Sequence, residues 1–270
     1  MTLPYAEVIG DPIAHSKSPL IHNFWLEKLD IEAEYRKTHV TADGLAAYFL
    51  SRRADPDWLG CNVTIPHKLA VMDYTDDPGG VRDRIGAMNT IACETGGPLI
   101  GTNTDAGGFL QPLIARKWRG RRAVLVGAGG AARAILYALA TLGVPDITVM
   151  VRDAEKGRAL LDRGGVEGTV NTFDSPLPAA DLLVNTSSLG MTGQPPLDLD
   201  LSPLPDTATV YDIVYAPLET GLLAAARARG LATIDGLEML IGQAVLAFDI
   251  FFDAQAPREH DEELRALLTA

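Results

Sequence analysis

One glycine-rich segment limits the folds open to this chain more than any other feature. Residues 124–133 read VLVGAGGAAR, an apolar run followed by small residues and the start of a helix-forming stretch. The pattern is G-x-G-x-x-A: Gly127 permits a tight turn, Gly129 permits close approach of a pyrophosphate, and Ala132 permits close packing of the helix on the strand. We therefore predict a strand–turn–helix unit whose helix start binds a dinucleotide. The alternative is a tight turn with no ligand.

Strand-like and helix-like segments alternate along the whole sequence, which predicts an α/β fold with parallel sheets. The predicted strands cover residues 5–9, 33–39, 58–63, 88–93, 99–101, 123–126, 146–151, 181–184, 209–214 and 231–234. The predicted helices cover residues 19–29, 43–51, 130–142, 154–163, 218–229, 237–252 and 258–268. We expect residues 88–93 and 99–101 to pair around a turn at residues 95–98. The proline-rich residues 194–205 are expected to form a long loop.

Composition excludes several classes of function. A chain of 270 residues predicts two domains of ~150 residues each. The 23 basic and 35 acidic residues give a net charge of −12, which argues against a general nucleic-acid-binding face. Cys61 and Cys93 have no CxxC spacing and no neighbouring His cluster, so we expect no disulfide framework and no metal. The sequence contains no apolar run long enough for a membrane span and no signal-peptide pattern, so we expect a cytoplasmic protein.

Charged side chains follow two of the predicted strands. Pro66 is expected to open a helix, which places Lys68 in a first helical turn, where the helix dipole disfavours a cation. Asp105 lies where another strand joins a helix expected to begin near Ala106. Because ligands of open α/β sheets bind at the carboxyl ends of the strands, Lys68 and Asp105 could form a proton-transfer pair. The alternatives are an exposed lysine and a helix N-cap.

Polar side chains also occur at two other places that suggest a ligand. Ser16 and Ser18 follow the first strand, where two hydroxyls near a helix start could bind a carboxylate. Ser18 before Pro19 is equally explained as an N-cap. Gln243 lies in an apolar arc of the helix at residues 237–252, so if buried it needs a hydrogen-bond partner. That partner is either a bound ligand or a backbone group.

The end of the strand at residues 146–151 is where a dinucleotide-binding domain contacts the adenosine ribose. Arg152 there suits the 2′-phosphate of NADP, whereas Asp153 could accept hydrogen bonds from the ribose hydroxyls of NAD. Asp153 could instead turn outward and cap the helix that starts near Ala154. An exposed charged turn without a cofactor is the remaining alternative.

Taken together, these segments closely resemble the shikimate dehydrogenase (shikimate/quinate dehydrogenase) family. They occur in the family's order along nearly the whole chain. The matching segments are residues 16–19, 62–68, 87–90, 101–105, 127–131, 185–191, Tyr211 with Asp212 and Tyr215, and residues 235–243.

The resemblance implies NADPH-dependent reduction of the ring ketone of 3-dehydroshikimate to shikimate, in aromatic amino-acid biosynthesis. It implies a Rossmann-type dinucleotide-binding domain at residues 105–238. It also implies a smaller α/β substrate-binding domain at residues 1–104 and 239–270, completed by the C-terminal helices. By the matching positions, the catalytic pair is Lys68 and Asp105. The substrate-binding residues would be Ser16, Ser18, Thr64, Asn89, Tyr215 and Gln243. The cofactor-binding residues would be Gly127, Ala128, Gly129, Gly130, Ala131, Arg152, Asp153, Ile213 and Gly236.

One departure from the family pattern concerns the cofactor. The family has Asn-Arg-Thr where this chain has Val151, Arg152 and Asp153, so the arginine is kept and two polar neighbours are replaced. An NAD-preferring quinate/shikimate dehydrogenase is therefore an alternative. A non-catalytic sensor of dinucleotide and metabolite is a second one, although a sensor has no need of Lys68 and Asp105. Monomer and homodimer are both compatible with the sequence.

Overall fold

The computed structural model describes residues 3–93 and 97–270. They form two compact units: one contains residues up to 104 together with 241–270, and the other contains residues 105–240. The boundaries between the two domains predicted from the sequence lie after residues 104 and 238. No helix in the described part of the chain is long and apolar enough to cross a membrane.

The strands and helices follow one another in the alternating order that the sequence predicts. The strands are β1 Tyr5–Gly10, β2 Glu34–His39, β3 Trp58–Val63, β4 Thr90–Cys93, β5 Leu99–Thr102, β6 Arg122–Val126, β7 Asp146–Val151, β8 Gly168–Thr172, β9 Leu182–Asn185, β10 Thr209–Asp212 and β11 Ala232–Ile234. The helices are α1 Ser18–Lys28, α2 Leu45–Arg53, α3 Val81–Arg84, α4 Asp105–Leu110, α5 Gly130–Thr141, α6 Ala154–Gly164, α7 Gly221–Ala228, α8 Gly236–Phe252 and α9 Asp261–Thr269.

The first unit is built on a mixed sheet in the order β2-β1-β3-β4-β5. Strands β2, β1 and β3 are parallel, whereas β4 pairs antiparallel with both β3 and β5. The antiparallel pairing of β4 with β5 agrees with the turn predicted between them, since a short connection joins antiparallel neighbours, so the first sheet is mixed and not all-parallel. Thr95 and Gly96 of the expected turn lie outside the described residues. Ala247 and Phe251 of α8 pack against β1 and β2.

The second unit contains a parallel sheet in the order β11-β10-β9-β6-β7-β8. Its central strands are buried apolar runs, as parallel strands covered on both faces require. Strand β8 was not predicted. It lies at the sheet edge, half-exposed, and its sequence GTVNT lacks the apolar alternation that identifies a strand. A Cβ at Gly168 would lie 2.5 Å from the Ile147 carbonyl oxygen, so this close pairing requires a glycine.

The helix expected to begin at Pro66 does not form. Residues 65–69 are a turn, followed by a short 3₁₀ helix at Ala70–Tyr74. The Lys68 carbonyl, which a helix would use internally, accepts a hydrogen bond from the Met88 N–H at 2.8 Å. Since Lys68 is not in an α-helix, the helix-dipole argument for its role no longer applies.

Two details of α1 differ from the sequence prediction. The helix expected over residues 19–29 ends at Lys28, and Leu29 lies beyond it and is 37 % exposed. The alternative interpretation of Ser18 as an N-cap is wrong, because the N-cap is Lys17 and Ser18 is the first helical residue. The long loop at residues 194–205 is confirmed, since these residues form no helix or strand.

Candidate active site

The carboxyl ends of β1 and β3 are fastened together in the first unit. The Asp11 N–H donates to the Ile65 carbonyl at 3.1 Å, and the Thr64 N–H donates to the Ile9 carbonyl at 2.9 Å. A Cβ at Gly10 would lie 2.5 Å from Cγ2 of Thr64, so a glycine is needed for this approach. These bonds bring the start of the serine loop (residues 11–17) next to the segment that carries Thr64 and Lys68.

The serine loop is fixed by its own turn and by bonds from elsewhere in the unit. The Ser16 Oγ accepts a hydrogen bond from the Ser18 N–H at 3.3 Å. Lys37 Nζ donates to the Ala14 carbonyl at 2.7 Å, and Lys17 Nζ donates to the Leu268 carbonyl of α9. Ser16 therefore stabilises the turn at the start of α1, whereas Ser18 is buried and does not act as the helix cap.

The turn that carries Lys68 is anchored by the residue before it. His67 is buried, and its Nε2 lies 2.6 Å from the Val40 carbonyl oxygen. Its backbone N–H donates to the Thr64 carbonyl at 3.0 Å. With the bond from Met88, both sides of Lys68 are therefore tied to the sheet, while Lys68 itself stays half-buried. A lysine in a fixed turn next to strand ends is well placed to meet a ligand there.

Asn89 is the centre of a buried cluster that we call the Asn89 network: Tyr35, Asn62, Asn89, Thr90 and Thr104. Asn89 Oδ1 accepts from the Thr104 N–H at 2.7 Å, and Asn89 Nδ2 donates to the Thr104 Oγ1 at 2.9 Å. Asn62 Nδ2 donates to the Asn89 carbonyl at 3.2 Å and to the Thr90 Oγ1 at 2.9 Å. Sequence reasoning gave no role to Asn62 or Tyr35. A buried amide inside an apolar strand was the available signal for Asn62.

Asp105 begins the second unit as the first residue of α4, one position earlier than the helix was expected to start. It is buried, and it directly follows Thr104, whose backbone and side chain are both held by Asn89. The Asn89 network therefore fixes the chain immediately before this carboxylate.

Gln243 is buried in α8, one helical turn before Ala247. Ala247 packs against β1 and β2. Since residues four positions apart lie on the same face of a helix, Gln243 lies on the face that packs against the sheet. Leu246 and Ile250 of the same helix are partly exposed.

In the second unit, the glycine-rich turn between β6 and α5 fits a dinucleotide. Gly127 has a φ of +107°, and a Cβ there would lie 2.9 Å from the Thr186 Oγ1. Among the described residues, no atom lies within 4 Å of where a Cβ at Gly129 would be, so this side of the turn is open. No described side chain caps the amino end of α5, which leaves its N–H groups able to face a phosphate.

The two charged residues that follow β7 have different surroundings. Asp153 is the N-cap of α6, with Oδ1 accepting from the Glu155 N–H at 3.0 Å and from the Lys156 N–H at 3.5 Å. Its Oδ2 lies 3.9 Å from Lys156 Nζ. Arg152 is exposed beside it. The side chain that could contact ribose hydroxyls is thus already engaged with the helix, while the guanidinium faces solvent.

The remaining predicted residues lie at the ends of β9, β10 and β11. Ile213 N–H donates to the Asn185 carbonyl at 3.1 Å, and a Cβ at Gly236 would lie 2.5 Å from the carbonyl oxygens of Ile213 and Val214. Tyr215 is half-buried, and this burial raises the pKa of its phenol. These contacts bring Ile213 and Gly236 together.

Asp212 holds the ends of β9 and β10 together. It is fully buried, and its carboxylate accepts from Asn185 Nδ2 at 2.9 Å, from the Thr220 Oγ1 at 2.7 Å and from the Val214 N–H at 3.0 Å. Burial raises the pKa of this carboxyl, and the three hydrogen bonds oppose the shift. Asp212 was recognised only as part of a motif, and its role here is to fix the loop that carries Ile213 and Tyr215.

A parallel sheet with a glycine-rich first turn, joined to a mixed α/β unit with a polar cluster at its strand ends, defines a two-domain protein of the Rossmann type. Residues 8–91 match the family model of the shikimate dehydrogenase substrate binding domain. Residues 236–264 match the family model of the shikimate 5'-dehydrogenase C-terminal domain. The chain belongs to the shikimate dehydrogenase family, so this prediction is confirmed.

Individual relatives agree over nearly the whole chain. A shikimate dehydrogenase (NADP(+)) from Sphingopyxis alaskensis is 62 % identical over 99 % of this chain and 97 % of its own length. The crystal structure of shikimate 5-dehydrogenase from Thermus thermophilus in complex with NADP(H) and shikimate has a TM-score of 0.86 and 32 % identity, covering 99 % of this chain and 100 % of that one. Quinate dehydrogenase from Corynebacterium glutamicum in complex with NAD has a TM-score of 0.84 and 31 % identity, covering 99 % and 100 %.

Proposed function

We propose that this chain is an NADP-dependent oxidoreductase that reversibly reduces 3-dehydroshikimate to shikimate, a step of aromatic amino-acid biosynthesis. One observation carries the proposal: a shikimate dehydrogenase (NADP(+)) is 62 % identical over 99 % of the chain. The glycine turn at Gly127 and the anchored turn at Lys68 support it, because the first suits a dinucleotide and the second a polar substrate.

The two units divide this work in our proposal. Residues 105–238 bind the dinucleotide, and residues 1–104 with 239–270 bind the substrate. The diphosphate contacts Gly127, Ala128, Gly129, Gly130 and Ala131 at the start of α5, where the backbone N–H groups are available. Ile213 and Gly236, which are in contact with each other, border the nicotinamide.

Catalysis requires the protein to supply one proton and correct positioning, since the bound nicotinamide supplies the hydride. Lys68 as an ammonium polarises the ring ketone and donates the proton from Nζ, and in the oxidative direction its neutral amine accepts one. Asp105 is the second member of the proposed catalytic pair.

The other predicted residues bind the substrate. Ser16 and Ser18 hold the carboxylate. Thr64, Asn89, Gln243 and Tyr215 surround the ring and its hydroxyls. Each of the first three is fixed by the sheet or by a buried helix face, which lowers the entropy lost on binding.

NADP is the preferred cofactor in our proposal because Asp153 is engaged as the cap of α6. An arginine fork suits a phosphate dianion, and a carboxylate turned toward its own helix neither binds the ribose nor faces the phosphate. The replacement of two polar family residues by Val151 and Asp153 makes the preference weaker than the family pattern gives. We expect kcat/KM to favour NADP over NAD by ~10-fold or more, which corresponds to about 1.4 kcal/mol or more.

The test is turnover of purified protein with 3-dehydroshikimate and NADPH, and with shikimate and each oxidised cofactor. Activity that favours NADP supports the proposal. Equal or higher kcat/KM with NAD, or faster oxidation of quinate than of shikimate, selects the NAD-preferring quinate/shikimate dehydrogenase. Binding of both ligands without turnover selects the sensor. Arg152→Ala should erase most of the cofactor preference, whereas Asp153→Thr should sharpen it.

Two further statements belong to the proposal. We expect a cytoplasmic protein, because Cys61 and Cys93 are both free thiols, as is usual in a reducing compartment. We also expect a monomer or a homodimer, which analytical ultracentrifugation would distinguish.

A further inference from the structure

We propose that Tyr35 and Asn62 are positioning residues for the reaction, an inference that rests on the proposed function. Neither is expected to contact the substrate. Their hydrogen bonds hold Asn89 and Thr104 in one orientation, and Thr104 is the residue directly before Asp105.

The first step of the argument is the orientation of the Asn62 amide. Its Nδ2 faces the Asn89 carbonyl at 3.2 Å, and a carbonyl can only accept, so the nitrogen must lie there. Asn62 Oδ1 is consequently left facing the Tyr35 hydroxyl at 2.6 Å, and Tyr35 must donate. The whole amide is buried, so neither end can exchange its partner for bulk water.

The second step is the orientation of the Asn89 amide. The Thr104 backbone N–H can only donate, so the Asn89 atom 2.7 Å away must be Oδ1. Thr90 Oγ1, which accepts from Asn62, lies 3.1 Å from both Asn89 Oδ1 and Thr104 Oγ1. The hydrogen bonds therefore connect Tyr35 through Asn62 and Thr90 to the Asn89 and Thr104 pair.

The third step is that Tyr35 is itself immobile. Asn23 brackets its backbone, donating to the Tyr35 carbonyl and accepting from its N–H, both at 2.8 Å. The His22 ring stacks on the phenol with a centroid distance of 4.0 Å and an interplanar angle of 4°. A fixed hydroxyl at the beginning of the network gives Asn62 one favoured amide orientation.

Loss of the Tyr35 hydroxyl would leave Asn62 Oδ1 buried without its donor. Rotation of the Asn62 amide could relieve this only by removing the hydrogen bonds to Asn89 and Thr90. Asn89 and Thr104 would then lose part of their support, and the groups next to the substrate would occupy the productive geometry less often.

Tyr48 is a matched control in the same unit. It is also a buried tyrosine, but its hydroxyl donates to Glu7 Oε1 at 2.8 Å, and Glu7 is paired with Arg52. Tyr48→Phe therefore removes one buried hydroxyl, as Tyr35→Phe does, but its hydrogen-bond acceptor Glu7 is not a member of the Asn89 network. A purely structural role for Tyr35 predicts the same small effect on activity from both changes.

The experiment compares kcat and both KM values of wild type, Tyr35→Phe and Tyr48→Phe, with the thermal midpoint of each. We expect Tyr35→Phe to lower kcat/KM for shikimate about tenfold, with an unchanged cofactor KM. Tyr48→Phe should stay within about twofold of wild type, whatever its loss of stability. Equal kcat/KM values for the two variants would overturn the inference even though wild type is active.

A second measurement does not depend on turnover. Hydrogen exchange at the Thr104 backbone amide reports the bond to Asn89, so it should become faster in Tyr35→Phe and remain slow in Tyr48→Phe. If wild type failed to oxidise shikimate, the proposed function would be wrong. The exchange rate would still show whether Tyr35 supports the hydrogen bond between Thr104 and Asn89. Unchanged exchange in Tyr35→Phe would overturn it.

Discussion

The two units differ in how they form the sites where we propose that ligands bind. In the first unit, polar side chains are held by other side chains, as Asn89 is by Thr104 and Asn62 is by Tyr35. In the second unit, Gly127 and Gly129 carry no side chain at the turn, and no described side chain caps the start of α5. The proposed ligand binding therefore depends in the first unit on side chains that are present, and in the second on side chains that are absent.

The same contrast applies to the carboxylate that each unit buries completely. Glu7 lies in the first unit with Arg52 Nε at 2.6 Å from Oε1, so a cation balances its charge. Asp212 lies in the second unit and, within the described residues, accepts from an amide, a hydroxyl and a backbone N–H. The first arrangement compensates burial by charge and the second by dipoles.

The largest expected effect concerns the proton pair. Lys68→Ala and Asp105→Asn should each lower kcat by ~10²-fold or more, the usual scale for a general acid or base. The double variant should lose much less than the product of the two factors, because the pair acts as one unit. Lys28→Ala, which removes an exposed ion pair with Glu263 and a cation–π contact with Phe24, serves as the control. A kcat for Lys68→Ala within about twofold of wild type would contradict the assignment.

The serine loop tests the side-chain-dependent unit further. Ser16→Ala and Ser18→Ala should each raise KM for shikimate by the equivalent of about 1.5–3 kcal/mol, since a bond to a charged carboxylate is lost. The cofactor KM should not change. Ser16→Ala should also cost ~1 kcal/mol of unfolding free energy, because its Oγ accepts from the Ser18 N–H. An unchanged shikimate KM in both variants would show that the hydroxyls serve the turn alone.

The glycines test the backbone-dependent unit. Gly127→Ala should lower the unfolding free energy by about 1–3 kcal/mol, because its φ of +107° suits only glycine and its Cβ would meet Thr186. Gly129→Ala should leave stability nearly unchanged, since its φ is −84° and the space is open, yet it should raise the cofactor KM. Denaturant titration and cofactor kinetics separate the two. Equal behaviour of both variants would remove the distinction.

The smallest effect is a difference in acid stability. His22 is buried among aromatic rings, and burial lowers its pKa to about 3. The unfolded histidine, with a pKa near 6.5, takes up its proton first, so stability falls as pH decreases below 6.5. This amounts to about 1 kcal/mol between pH 7 and pH 5.5.

The second unit should show the reverse tendency. Its Asp212 carboxyl has a raised pKa, so the folded state binds a proton before the unfolded state does, and acid favours folding at that residue. Chemical denaturation of wild type and His22→Phe at both pH values would test the histidine contribution. If the variant lost as much stability as wild type on acidification, the histidine would not be responsible.

Strands bounded by clear turn residues could be predicted from the sequence. Apolar runs place β3 at Trp58–Val63 and β7 at Asp146–Val151 with the predicted bounds. Strand β8 could not be predicted, because its sequence has no strand pattern and its extended conformation depends on pairing with β7. The prediction of a helix at Pro66 was wrong for a related reason. The Lys68 carbonyl accepts a hydrogen bond from the N–H of Met88, which is distant in sequence.

Candidate site residues could be found where strands end, but their orientation could not. Ser16, Lys68 and Asp105 were chosen because chemistry in open sheets occurs at these ends, and their roles stay predictions. The Asn89 network depends on which amide end faces a donor, and only the folded backbone decides this. The capping role of Asp153 was one of two readings of its sequence, and the geometry selected it.

The division of the chain into units sets an order for its synthesis. Residues 105–240 form one continuous stretch, whereas the other unit needs residues from both sides of it. Ala6 and Val8 are translated early, yet Ala247 and Phe251, which cover them, leave the ribosome near the end. We expect the inserted unit to fold while the chain is still growing and the surrounding unit to wait for α8 and α9. Nascent chains stalled after residue 240 should then show protease resistance within residues 105–240 and cleavage within β1 to β3.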